Sequence, residues 1–154
     1  MNTNIAQDAI LFLEELVSQP LCYGFKSPDT ELYDFGFGTV VEVDSWRGGK
    51  KTMCAQTIHA LCRFRIIQKI GVTRSEWYYE DTPQHKFNQD IAPLIGLCVK
   101  RIALSEKNDL WLDLGDYWIV FVTYETEDES WRFFISNIEQ PHLVASNSWI
   151  RFDC

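Results

Sequence analysis

From Cys98 onward the sequence breaks into short apolar runs that can only be satisfied by a sheet. CVKRIALSE, DLWLDL, YWIVFVTYE and SWRFFISN are each too short for a stable helix and rich in β-branched and aromatic residues. LGD at residues 114–116 is a tight-turn sequence, and ETEDES at 125–130 is an acidic loop. Together they predict an antiparallel meander of four strands, with HLVAS and SWIRF supplying a final strand or edge. WIVFV is far shorter than a bilayer span.

The N-terminal half adds one helix and further strands. Ile5, Ala9, Phe12, Leu13 and Leu16 recur at helical spacing, Asn4 is placed to cap the start, and Pro20 stops the pattern. Residues 21–31 read as a loop containing the turn signal SPD. In ELYDFGFGTVVEV, Tyr33, Phe35 and Phe37 continue into Thr39, Val41 and Val43 at period two, the mark of a half-buried strand. Gly36 and Gly38 fit such a strand only through a bulge or a close backbone approach. No lysine and no helix pattern follow FGFG, so it does not read as a phosphate-binding loop.

SWRGGKK, residues 45–51, is a basic turn. In HALCRFRIIQKIG, Ala60, Cys62, Phe64 and Ile66 alternate with Leu61, Arg63, Arg65 and Ile67, which predicts a strand ending at Gly71. SEWYYE predicts another short strand. Thr82–Gln89 is polar, and Pro93 limits DIAPLIG to a short helical or irregular turn. With 154 residues and no low-complexity linker, the expectation is a single α+β domain over residues 1–154. Its N-terminal helix would pack on a twisted, mainly antiparallel sheet, open or partly closed.

Chemistry is sparsely written. His59, Cys54 and Cys62 have no metal-site spacing, and His59 and Cys62 would face opposite ways along a strand. His85 and His142 are remote in sequence. Ser136 or Ser146 with His142 and Asp116 is the nearest approach to a triad, without a GxSxG elbow. Asp109 and Asp113 would stand about 13 Å apart along a strand, too far for a glycosidase pair. Residues 42–44, EVD, lack the clustered acids and lysine of a metal nuclease. No catalytic residue, metal or cofactor is therefore assigned, and the protein is read as a non-enzyme.

Charge says more. The chain carries a formal −8, which disfavours nucleic acid and anionic membranes as partners. Five scattered cysteines without CxxC spacing, and no charged segment leading into an apolar run, predict reduced thiols in the cytoplasm. Residues 45–75 hold seven bases and no acid, whereas residues 106–129 hold eight acids against Lys107 alone. The two segments either pair with each other, with Arg63 or Arg65 opposite Asp113, or present opposed fields to a partner. In the second case the docking face comprises Asp109, Asp113, Asp116, Glu125, Glu127, Asp128 and Glu129 around Trp111, Tyr117 and Tyr124. Acids would steer a cationic protein and a desolvated aromatic would hold it.

ELYDFGFG, HALCRFRI, DLWLDLGDYWIVFV, ESWRFF and HLV, in that order, resemble small bacterial domains, some of which occur beside polymorphic-toxin systems as immunity proteins. The resemblance implies a cytoplasmic protein that binds one cognate toxin domain, commonly a basic one, and neutralises it by steric occlusion. Two other readings stay open. One is a small-ligand-binding domain or enzyme with a pocket formed by Tyr33, Phe35, His59 and Tyr78. The other is a homodimeric structural protein paired through a sheet edge, in place of a monomer.

Overall fold

The computed structural model describes residues 3–28, 30, 32–45, 47–136 and 140–154. Asp29 of the SPD turn, Glu31, Trp46 of the basic turn and Asn137 at the end of SWRFFISN lie outside the described residues. The chain opens with helix α1 (Thr3–Leu13), tightened into a 3-10 turn at Glu14–Leu16. Strands β1 (Leu21–Lys26), β2 (Tyr33–Asp44), β3 (Lys50–Ala60), β4 (Phe64–Gln68) and β5 (Arg74–Tyr78) follow. Helix α2 (Gln84–Ile91) runs into a 3-10 turn at Ala92–Leu94. Six strands complete the chain: β6 (Arg101–Leu104), β7 (Leu110–Asp113), β8 (Tyr117–Phe121), β9 (Trp131–Ile135), β10 (His142–Ala145) and β11 (Ile150–Asp153).

The architecture is α+β, and every strand pairing described is antiparallel. The expected sheet is in fact two open sheets, ordered β1-β2-β3-β9-β10-β11 and β5-β4-β8-β7-β6, with no closed barrel. The four-strand C-terminal meander is therefore corrected. β6, β7 and β8 form a meander, but β9 leaves it to pair with β3 and β10 in the other sheet. HALCRFRIIQKIG is likewise two strands rather than one. β3 ends at Ala60, the chain turns at Leu61–Arg63, and β4 begins in the second sheet. The inward row survives this corner, since Ala60, Cys62, Phe64 and Ile66 are all buried.

Both crossings sit at one seam. The Ser130 carbonyl accepts the backbone N–H groups of Leu61 and Cys62, at 2.9 and 3.0 Å, and the Arg63 carbonyl accepts that of Val122 at 3.0 Å. Between the sheets lies a shared aromatic core. Phe35 of the first sheet meets Phe121 of the second edge-on at 5.1 Å, and Tyr33 meets Phe64 at 4.7 Å. Phe87 of α2 reaches into the same cluster. Ala9, Leu13 and Leu16 bury the apolar stripe of the first helix, while Phe12 packs on Phe133. That helix starts at Thr3, so Asn4 lies inside its first turn rather than before it.

The FGFG segment is architectural, and its two glycines have different tasks. A Cβ on Gly36 would stand 2.2 Å from the Tyr23 ring, so this position admits the close approach of β1 only as glycine. Gly38 takes φ +85°, and the β2–β3 register slips between Phe37 and Val40. The slip ends the predicted stripe: Thr39 and Val40 are exposed, and of the later positions only Val43 is buried.

Candidate protein-docking surface

The ten residues expected to form an acidic face divide into two groups. Asp113 is committed to internal bonds. It is 7% exposed at the end of β7, with Lys69 Nζ 2.7 Å from Oδ1 and Arg101 Nε 3.0 Å from Oδ2. The Gly115 N–H adds a third bond to it at 2.9 Å. Burial pushes its pKa upward, but the bonds from Lys69, Gly115 and Arg101 outweigh that and hold the carboxyl below the ordinary range. The expected partners Arg63 and Arg65 do not meet it. Arg65 instead donates to Ser75 and stacks on Trp77.

Asp109 accepts the Thr123 N–H at 2.8 Å and its hydroxyl at 3.1 Å, fixing the start of the 122–130 loop. Glu129 clamps Arg132 through two bonds and raises its pKa. Trp111 lies half-buried on the outer face of β7, edge-on to Trp118 at 5.6 Å. Tyr117 packs against the core, and its backbone carbonyl closes the β7–β8 turn. These side chains support structure first.

Glu125, Glu127 and Asp128 remain exposed on the loop, and Asp116 on the β7–β8 turn. The loop is shaped from beneath. The Ser130 hydroxyl accepts the Tyr124 N–H at 3.1 Å, and the Glu127 carbonyl accepts the Trp149 indole N–H at 2.9 Å. Tyr124 donates its hydroxyl proton to the Leu61 carbonyl at 2.7 Å, which pins the ring across the seam.

Tyr124 thereby meets a segment that sequence reading did not connect with it. A recess of about 370 Å³ is lined by Tyr124 together with Tyr79, Glu80 and Asp81 from the turn after β5. Tyr79 is 46% exposed and stacks against Trp77 at 6.2 Å. Three hydrogen bonds hold the turn. Tyr33 donates to the Tyr79 carbonyl at 2.6 Å, and Lys26 Nζ donates to the Glu80 and Thr82 carbonyls at the same distance. Two aromatic walls and two carboxylates can hold a guanidinium or ammonium group, which gains from both the charge and the ring faces. No local pattern marks this site, because it exists only where the turn after β5 meets the loop between β8 and β9.

The competing sites do not assemble. Tyr33, Phe35 and Tyr78 are core residues no more than 1% exposed, whereas His59 alternates to the outer face of β3, beside Asp34 at 2.9 Å. None of the three main recesses among the described residues is lined by all four. His142 Nδ1 accepts a hydrogen bond from the Arg132 guanidinium at 3.1 Å, and the ring stacks on Phe134 at 4.5 Å. Ser146 is fully buried, its hydroxyl capping the N–H groups of Ser148 and Trp149. Burial pushes the Cys62 and Cys54 thiols up to about 12, the state of structural rather than reactive cysteines. Among the described residues no three His, Cys, Asp or Glu side chains converge as a metal site, and no helix is long and apolar enough to cross a membrane. No protein-family model matches the chain, and comparison with curated proteins and with solved structures finds no similar one.

Proposed function

We propose that this chain is a non-enzymatic protein-binding domain that masks one basic protein partner, in the manner of an immunity protein occluding a bacterial toxin domain. The observation that carries the reading is the recess between Tyr79 and Tyr124, whose other lining residues are both acids. A lysine or arginine of the partner would enter it, with Glu125, Glu127 and Asp128 steering from the exposed loop that follows Tyr124. The centre of the expected face thus shifts from β7 towards the loop, because Asp109 and Asp113 are already bonded within the fold. Charged side chains on two of the four sheet edges, Arg74 and Glu76 on β5 and Arg151 and Asp153 on β11, disfavour pairing of two copies at those edges.

The test is co-purification with the C-terminal domain of a toxin encoded beside the gene, followed by the charge reversal Asp81→Lys with Glu125→Lys. A stoichiometric complex is expected, with association at low salt slowed about tenfold by the double reversal. Failure to form a complex at micromolar concentration refutes the reading. A complex whose association rate ignores the reversal refutes the placement.

A further inference from the structure

On the opposite side of the molecule's charge balance stands the outer face of the five-stranded sheet. Its cross-strand neighbours run Trp77, Arg65, Val120, Trp111, Ala103 in one row and Ser75, Ile67, Trp118, Asp113, Arg101 in the next. The inward residues of the same strands, such as Phe64, Leu112 and Phe121, are buried in the core. Of the outward ones Trp77, Arg65, Trp111, Ile67 and Trp118 are half-buried, Val120 and Asp113 are buried, and Ser75, Ala103 and Arg101 are exposed.

This face is cationic in a chain of net charge −8. Arg63, Arg65, Lys69 and Arg101 lie on it, and its acid Asp113 is saturated by Lys69 and Arg101. The cations are stacked on indoles. Arg65 and Arg63 lie 4.8 and 5.4 Å from the Trp77 ring centre, and Lys69 and Arg101 lie 4.6 and 5.2 Å from that of Trp118. Arg101 keeps its side chain 70% exposed, with only Nε spent on Asp113, so its terminal N–H groups are open to an incoming acceptor.

Ala103 sits directly opposite Trp111 in the β6–β7 register. A small residue beside a large one leaves a hollow of about 300 Å³, walled by Trp111 and Trp118 and bordered by Arg101 and Ser105. Such a hollow takes an apolar side chain, while the adjacent cations take flanking carboxylates.

We infer that this face is a second binding surface, adjoining the acidic recess through the Trp77–Tyr79 stack, for an acidic peptide segment of a protein partner that carries an aromatic or leucine anchor. A peptide suits the face better than a nucleic acid strand. The indole faces already hold cations, so a base would have to displace them to stack. A long polyanion would also meet the negative charge of the remaining surface, whereas a short segment lies within about a Debye length of the cationic rows.

The test uses a fluorescently labelled synthetic peptide of alternating glutamate and phenylalanine, read by anisotropy against the full chain at low and high salt. A lysine-for-glutamate peptide and an oligothymidylate of matching length are run beside it. Salt-sensitive binding of the acidic peptide alone is expected. Arg65→Glu and Ala103→Trp, which reverse one cation and fill the hollow, should each weaken it about tenfold. Circular dichroism and the unfolding midpoint confirm that each variant is folded. Absence of binding, binding by both surface variants as tight as by the parent chain, or tighter binding of the oligothymidylate would overturn the inference.

Discussion

The six-stranded and five-stranded sheets share a core but are held in shape by different means. In the six-stranded sheet the backbone departs from regularity. β1 slips register between Leu21 and Tyr23, β2 slips after Phe37, and Gly36 and Gly38 make room for neighbours that side chains would block. The five-stranded sheet keeps an even register throughout and is tied across its outer face by side chains, through Asp113 and the indole–cation stacks. Irregular strands are intolerant of added atoms. Regular strands tolerate added atoms and depend on charge.

The strongest challenge to that contrast is Gly36→Val, whose Cβ would collide with the Tyr23 ring at 2.2 Å. It should cost about 3 kcal/mol in urea unfolding, and Tyr23→Ala in the same chain should return part of the loss. Ala103→Val, on the regular sheet, should change stability by no more than about 0.5 kcal/mol. Removing the central acid with Asp113→Ala leaves Lys69 and Arg101 facing each other, and a loss of about 2 kcal/mol is expected from the same measurement.

Acid should separate the sheets by window. Burial, with Arg132 and His59 nearby, holds His142 below its usual 6.5. Its contribution is complete above 6.5 and fades as pH falls through the lower folded value. Asp113, also depressed, contributes fully above about 4, the unfolded carboxyl value, and that stability is lost only as pH falls through its lower folded value. In unfolding curves taken across pH, His142→Gln should flatten the upper slope and Asp113→Asn the lower one. The smallest effect is expected at the loop, where Glu127→Lys should move stability by no more than about 0.5 kcal/mol.

What sequence reading could reach follows the same division. Local periodicity located the first helix, the inward Tyr33–Phe35–Phe37 row and the short strands after Lys100, because each is written in neighbouring residues. β3 escaped it since Gln56 and Thr57 interrupt the apolar alternation while being buried, and Gln56 donates to the Glu15 carbonyl at 2.9 Å. β1 was hidden by the turn signal that follows it. α2 was hidden because only Phe87 and Ile91 of its eight residues are buried. The sheet to which β9 belongs is a long-range choice made at Ser130, and no local pattern encodes it. For the same reason the acidic loop and Tyr124 were legible, but Tyr79, Glu80 and Asp81 were not.

The common seam has a consequence for how the chain can be divided. A break between Thr126 and Glu127 would leave one piece holding the whole five-stranded sheet with β1, β2 and β3, and another holding the three-stranded unit β9–β11. Each piece ends on an unsatisfied strand, β3 on one and β9 on the other, whose natural mate is the other piece. Cleavage there should therefore yield a large and a small piece that reassemble spontaneously, making the protein a ready-made split reporter whose reconstitution reads out the pairing of those two strands.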